Sequence, residues 1–298
     1  MKKITKALCA AAVCGVMMLT GCSGSDNGTA VTAAENQASE ARIIKSTGAG
    51  NSGEVTLEKG DTYAVISVRD YGDIKIKLFP DLAPYSVYNF TELAKRGDYN
   101  GRNFHRLIEN FMIQGGSGNG TGGGGSSFDG GSFKNEINTS LRHYYGALCY
   151  AANGLGDLSD GFYIVNSKTQ MTVEEGGYTN TASNHEQYAA MYQIYMSMFE
   201  EGSSEYTMYK KAYDYNAFVV NAAKAMGETI TDAVKETYAT KGGRPDIDGA
   251  YTVFGQTVEG FDVIDKITAV EKVDDGNGNI SKPATEIIIE KVEIFTVE

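Results

Sequence analysis

The sequence predicts a mainly β domain interrupted by an α-helical insertion. Three observations carry that expectation. Apolar and polar residues alternate strictly over residues 73–78. Between about residues 169 and 243 the chain is polar, and its large side chains recur at spacings of three and four. Strand-forming runs return at residues 251–260 and 285–297.

Taken in order, "TYAVISVRD" and "DIKIKLF" read as two strands of a hairpin turning at Tyr71-Gly72. In the second, Ile74, Ile76 and Leu78 share one face while Asp73, Lys75 and Lys77 share the other, the period of a half-buried strand. "APYSVYNFTELAKRGDY" reads as a helix. Pro84 suits a first turn, Val87, Phe90 and Leu93/Ala94 keep helical spacing, and Gly97 is placed to end it. "GALCYAA" and "GFYIV" are short and β-prone. The insertion offers three helices. Tyr188, Met191, Tyr192, Tyr195, Met196 and Phe199 line the first, Tyr206, Tyr209, Tyr213, Phe218 and Ala222 the second, and "TITDAVKETYATKGG" is a shorter third. Beyond it, "YTVFGQTVEG" is a strand, "FDVIDKITAV" a short helix and "TEIIIEKVEIFTV" a last strand.

The N-terminus speaks to compartment. Lys2, Lys3 and Lys6 precede an apolar run of thirteen residues, 7–19, too short to span a bilayer and typical of an export signal. It ends in "LTGC", which resembles the lipobox of bacterial lipoproteins. That resemblance makes residues 1–21 a signal peptide and Cys22 a lipidated first residue; the alternative is an ordinary secretory signal with a chance cysteine. Residues 22–60, rich in Ser, Gly, Ala, Thr and Asn, read as a flexible tether. Cys9 and Cys14 leave with the signal, so no disulfide framework is expected, and Cys149 reads as a small core residue. The expected location is the extracytoplasmic face of the cell membrane. The whole chain carries a net charge of −12, a poor match for nucleic acid.

The most informative stretch is "NFHRLIENFMIQGGSGNGTGGGG", residues 103–125. It is a poor phosphate loop: its glycines satisfy any glycine pattern, and no Lys-Ser/Thr pair follows. With "GDIKIKLFPDLAPYSVYNFTELAKRGDYNG" before it and "GTGGGGSSFDGGSFKNE" and "DGAYTVFGQTVEGFDVIDKI" after it, the chain resembles the cyclophilin-type peptidyl-prolyl cis/trans isomerases. The resemblance covers residues 61–168 and 244–298, leaving 169–243 as the helical insertion. It implies a closed eight-stranded antiparallel β-barrel capped by two helices. It also implies rotation about X-Pro bonds of unfolded or exported polypeptides, which needs no cofactor, metal or nucleophile.

On that resemblance Arg106 is the catalytic arginine, with a surface salt bridge as the alternative reading. Phe111 and Met112 match the proline pocket, and Gln114 the amide that holds substrate backbone. Ala151 and Ala152 match the strand along which substrate lies. Tyr163 stands for a pocket phenylalanine, Ile247 for a leucine and Tyr251 for a histidine. Strand alternation turns His105 away from Arg106, and His143 and His185 lack partners at metal spacing. Two positions depart from the family: Gly161 replaces a substrate-contacting glutamine, and Asp246 falls near the tryptophan that helps bind ciclosporin. Weak ciclosporin binding is therefore expected. The Tyr and Met stripes of the insertion leave a second reading open, a lipid-anchored chaperone or peptide-binding adaptor with little turnover.

Overall fold

The computed structural model describes residues 39–123, 125–173 and 177–298. The signal segment, Cys22 and the first part of the expected tether lie outside the described residues. Strands β1 (Arg42–Ile44), β2 (Thr62–Val68) and β3 (Gly72–Leu78) lead into helix α1 (Pro84–Arg96). There follow β4 (Asn103–Ile108), β5 (Met112–Gly115), β6 (Phe133–Lys134), β7 (Glu136–Asn138), β8 (Ala147–Ala152) and β9 (Asp157–Val165). The insertion forms α2 (Tyr178–Met196), α3 (Ser204–Glu228) and α4 (Asp232–Lys241). The chain ends with β10 (Val253–Glu259), α5 (Phe261–Thr268), β11 (Lys272–Asp274), β12 (Ile280–Pro283) and β13 (Ile287–Thr296).

Eight strands close into an antiparallel barrel in the order β5-β4-β13-β2-β3-β10-β8-β9, and β9 pairs back onto β5. The alternation read from the sequence holds: Ile74, Ile76 and Leu78 are buried, while Asp73, Lys75 and Lys77 lie on the outer side. The core is aromatic at its centre, where Phe90 of α1 meets Phe162 edge-on at 5.7 Å and Phe254 at 5.3 Å. Helix α1 opens on Pro84 and ends at Gly97, whose φ of 82° is the left-handed cap that glycine adopts without strain.

The tether reading fails for its described part. Residues 42–44 form β1, which pairs parallel with β7. Arg42 forms an ion pair with Glu136, a carboxylate that is 1% exposed. That carboxylate also accepts from Tyr85 N at 3.2 Å and Ser86 N at 2.6 Å, so it caps α1. Asn51 is buried too, and its side chain both donates to the Arg142 carbonyl at 2.8 Å and accepts from the Arg142 N–H at 2.9 Å. Counting large apolar residues missed this segment because few of them hold it: Ile43 and Val55 pack on the core, and backbone pairing, one charge and one amide do the rest.

The insertion is helical as expected, but its helices divide unevenly between core and solvent. Helix α3, 25 residues and about 37 Å long, buries its second half, with Val219, Ala222, Ala223 and Met226 enclosed. Its first half runs beside α2 in an outlying hairpin, where Tyr209 contacts Tyr195 and Phe199 at 5.3 and 5.6 Å.

Strand β4 departs from simple alternation. Its register slips between Phe104 and Arg106. Phe104 and Leu107 both point into the core, so His105 and Arg106 fall together on the outer side. This bulge overturns the expectation that His105 faces away from Arg106. Both ring nitrogens of His105 are buried without a hydrogen-bond partner, and Nε2 lies against Gly122, where a Cβ would come within 3.0 Å. Burial first, and then the charge of Arg106, push the His105 imidazole down from 6.5 to about 4.

A histidine with a lowered folded value binds its proton more readily when unfolded. Its share of stability is complete above about pH 6.5 and is lost as pH falls toward about 4. Urea midpoints at pH 7 and pH 4.5 should therefore differ less in His105→Gln than in the wild type. The gap should narrow by about 2 kcal/mol once partial exposure is allowed for. An unchanged gap would remove His105 from the acid response.

Candidate functional site

Barrel closure brings β5 beside β9, with Met112 opposite Val165, Gln114 opposite Tyr163 and Gly115 opposite Phe162. At this seam lies a cavity of about 160 Å³ lined by Arg106, Phe111, Met112, Gln114, Ala151, Ala152, Tyr163 and Tyr251. These eight residues come from four strands and the turns beside them. All eight were singled out from the sequence. Ile247, the ninth, is not in the lining. It ends a short 3-10 turn (Pro245–Ile247) that is drawn toward the insertion, because Thr181 Oγ1 of α2 donates to the Asp246 carbonyl at 2.5 Å.

The cavity has an apolar seat and a polar edge. Met112 and Tyr163 are buried, and Phe111 is half-buried. The Phe111 turn is pinned by Asn166, whose Oδ1 accepts from the Phe111 N–H at 2.8 Å while its Nδ2 donates to the Ile108 carbonyl at 3.0 Å. Tyr251 stands edge-on to Tyr163 at 6.1 Å and 87°. On the polar edge, Arg106 Nη1 donates to Gln114 Oε1 at 3.3 Å, across a register in which the two residues face each other.

Arg106 differs from every other described arginine. Arg42, Arg69, Arg96, Arg102, Arg142 and Arg244 each pair with a carboxylate. Among the described residues Arg106 has no such partner, and its side chain meets an amide. The salt-bridge alternative thus finds no acid to support it. The field of Arg106 reaches Tyr251, where it opposes the larger upward push of burial on the phenol.

Two depressions continue the cavity on either side. One, of about 280 Å³, shares Gln114, Ala151 and Ala152 and runs past Gly161. A Cβ at Gly161 would meet only Ala151 and Ser117, each at 3.9 Å, so the glycine leaves open the space a longer side chain would enter. The other, of about 770 Å³, shares Arg106 and Gln114 and runs between the glycine loop and the β11–β12 hairpin. Together they make a groove with the small cavity at its middle. The regular ladder between β8 and β9 breaks between Tyr150 and Ala152, which puts Ala151 outside the ordinary pairing where it borders the groove. The glycine loop is shaped by close approach: a Cβ at Gly116 would fall 2.4 Å from the Phe162 ring, at a φ of 76°.

Three residues that shape the site were missed by sequence reasoning. Arg244 lays its guanidinium carbon 4.3 Å from the centre of the Phe111 ring, a cation–π contact fixed by the Asp246 carboxylate at 2.7 and 2.5 Å. Its signal was local, a lone cation two residues before a departure from the family. Asn166 had no signal in sequence. His143, read as bland, lies beneath the cavity with Nε2 at 3.1 Å from the Tyr163 hydroxyl. Cys149 fits its reading: it is fully buried, and burial pushes its thiol well up.

The sequence comparisons point to one family. The model of the family described as "Cyclophilin type peptidyl-prolyl cis-trans isomerase/CLD" matches residues 63–180 and 169–294. A protein of Staphylococcus aureus (strain USA300) named "Putative peptidyl-prolyl cis-trans isomerase" is 32% identical over 238 residues, covering 80% of this chain and 94% of that protein. A Streptococcus pyogenes serotype M6 protein named "Putative bifunctional phosphatase/peptidyl-prolyl cis-trans isomerase" is 34% identical over 248 residues, or 81% of this chain. The chain spans only 41% of that relative's length. Among solved structures, a cyclophilin type peptidyl-prolyl cis-trans isomerase of Cryptosporidium parvum aligns with a TM-score of 0.48 at 21% identity, over 80% of this chain and 99% of that one. With its family model matched along nearly the whole folded region and a relative above 30% identity over most of its length, the chain belongs to the cyclophilin-type peptidyl-prolyl cis-trans isomerases.

Proposed function

We propose that the groove catalyses rotation about X-Pro bonds of exported polypeptides, with the proline seated in the cavity at its middle. The observation that carries this reading is Arg106, the described arginine without an acid, at the edge of an apolar seat. The amide barrier is about 18–20 kcal/mol, and no covalent bond need break for it to be crossed. Phe111, Met112, Tyr163 and Tyr251 exclude water and hold the ring. As the amide twists, the prolyl nitrogen regains its lone pair, and the Arg106 guanidinium donates to it. Because Gln114 Oε1 accepts from Arg106, its Nε2 is left to donate to a flanking carbonyl. Donors that gain strength only in the twisted state lower the barrier rather than merely binding substrate.

The place of action is the outer face of the cell membrane, with the chain held by lipid on Cys22. The support is the lysine-led apolar run ending in "LTGC". Prolyl rotation takes tens of seconds uncatalysed, slow enough to limit folding after export. Near the position of the family's tryptophan, an Asp246–Arg244 pair covers Phe111, and this supports weak ciclosporin binding.

A second reading is favoured by one observation. The α2–α3 hairpin tip leaves Ile194 58%, Met198 66% and Met208 48% exposed, an adaptable apolar surface suited to unfolded chains. The barrel would then serve as a peptide-binding module on a chaperone.

Turnover of an X-Pro peptide in a protease-coupled assay separates the two readings. Arg106→Ala should lower kcat/KM by about 100-fold or more while the protein stays folded. Suppression of client aggregation should survive that change if the hairpin tip acts independently. A wild type that does not exceed the uncatalysed rate leaves only the binding reading. Cys22→Ala should abolish incorporation of labelled palmitate and leave the signal segment uncleaved, and labelling that persists in the variant would sink the lipid anchor. Ciclosporin at micromolar concentration should leave most turnover intact, with Asp246→Trp making the enzyme more sensitive. Strong inhibition of the wild type would contradict the role given to Asp246.

A further inference from the structure

Beneath the cavity, three side chains from two parts of the chain meet at one carboxylate. Asp248 is 1% exposed. It accepts from the His143 N–H at 3.0 Å and from His143 Nδ1 at 2.9 Å, both on Oδ1. Its Oδ2 accepts from the Tyr238 hydroxyl at 2.7 Å and, more distantly, from Arg142 Nη1 at 3.5 Å. Burial by itself would raise this carboxyl, but the hydrogen bonds and the arginine outweigh it and hold the group below its ordinary value. An ionised carboxylate can only accept, so His143 Nδ1 carries a proton. The other ring nitrogen, Nε2, is left facing the Tyr163 hydroxyl at 3.1 Å, with the two rings nearly parallel at 12°. Tyr163 is a wall of the cavity.

The same cluster ends on the insertion. Tyr238 belongs to α4. Arg142, wholly buried, donates through Nη2 to the Met226 carbonyl of α3 at 2.9 Å and to Thr229 Oγ1 at 3.0 Å. A continuous set of contacts therefore runs from two insertion helices through Asp248 and His143 to the hydroxyl of a cavity residue.

We propose that His143 is a positioning residue for prolyl rotation, fixing the Tyr163 wall of the proline seat, and that the insertion sets this wall through Tyr238 and Asp248. The inference rests on the reading of the cavity as the proline seat. His143 touches no substrate; it acts by fixing where the phenol points. The Tyr163 hydroxyl also lies beside the Cys149 thiol, so a phenol that loses His143 would be drawn to that weaker partner.

Two conservative variants, each removing one oxygen, test it in the full-length chain. Tyr163→Phe should lower kcat/KM about five- to tenfold, and Tyr238→Phe about two- to fivefold. The double variant should be no worse than Tyr163→Phe alone, because both act along one path. In ¹⁵N-histidine NMR, the His143 Nε2 resonance should move in both single variants. A purely structural role for the cluster predicts a different pattern, namely lower melting temperatures, unchanged kcat/KM of the folded protein, and losses that add. Either unchanged kcat/KM in Tyr163→Phe or independent losses in the double variant would overturn the proposal. If the wild type itself gives no turnover, the reading of the cavity fails first. Turnover lost in Arg106→Ala but untouched by this pair defeats the positioning role alone.

Discussion

The pairing of β5 with β9 is the contact on which the rest of the site depends. It converts an open sheet into a ring and leaves no free edge at this seam. It also decides what faces what. Because side chains alternate along each strand, closing Gln114 onto Tyr163 sets Met112 and Gln114 from one strand against the aromatic wall of the other. A slip of one residue would turn Met112 and Gln114 together away from that wall and bring Ile113 to it. The Asn166 clamp on the Phe111 turn lies at the end of the same seam, so the apolar seat is held at the place where the barrel closes.

Burial of charge then explains why the parts outside the barrel are integral to it. Glu136 and Asp248 are carboxylates almost without exposure, and a buried ion is tolerated only when paired and hydrogen-bonded. Glu136 is satisfied from the N-terminal segment through Arg42 and from the first turn of α1. Asp248 is satisfied by Arg142, His143 and Tyr238, the last from the insertion. Removing either segment would take one partner from a buried carboxylate. The insertion is thus not hung on a finished barrel, since Tyr238 and the Met226 carbonyl complete the hydrogen bonds of Asp248 and Arg142.

What the sequence made legible follows from the range of each interaction. Strand alternation, helix caps and the α2–α3 hairpin are encoded within a few residues, and these matched. The composition of residues 22–60 hid the role of Arg42 and Asn51, because one charge and one amide count for little in an average. Residue spacing hid the Arg142–Asp248 pair, whose members lie 106 positions apart. The bulge at His105 is a relation between two strands, so no pattern within β4 could reveal it. Eight cavity residues were named through family resemblance, which carries tertiary information that periodicity lacks. Ile247 shows the limit of that route: the family pattern carries no contact with an insertion, whereas here the turn that carries Ile247 is hydrogen-bonded to one.

The state of Arg106 has its own physical cause. In a chain with a net charge of −12, a carboxylate within reach is the ordinary fate of a guanidinium, and the other described arginines follow it. Arg106 avoids it through its surroundings. The bulge sets it beside His105, whose burial in contact with the glycine loop keeps the imidazole neutral. Its cross-strand partner is an amide, and its other neighbours in the cavity are aromatic, thioether or alanine. An arginine paired with an acid has already used much of its donor strength, and opening that pair would add to any barrier it was meant to lower. Held among the described residues by Gln114 alone, the guanidinium keeps most of its N–H groups available at the edge of an apolar seat. That availability is what the role proposed for Arg106, a donor to the twisted amide, requires of its surroundings.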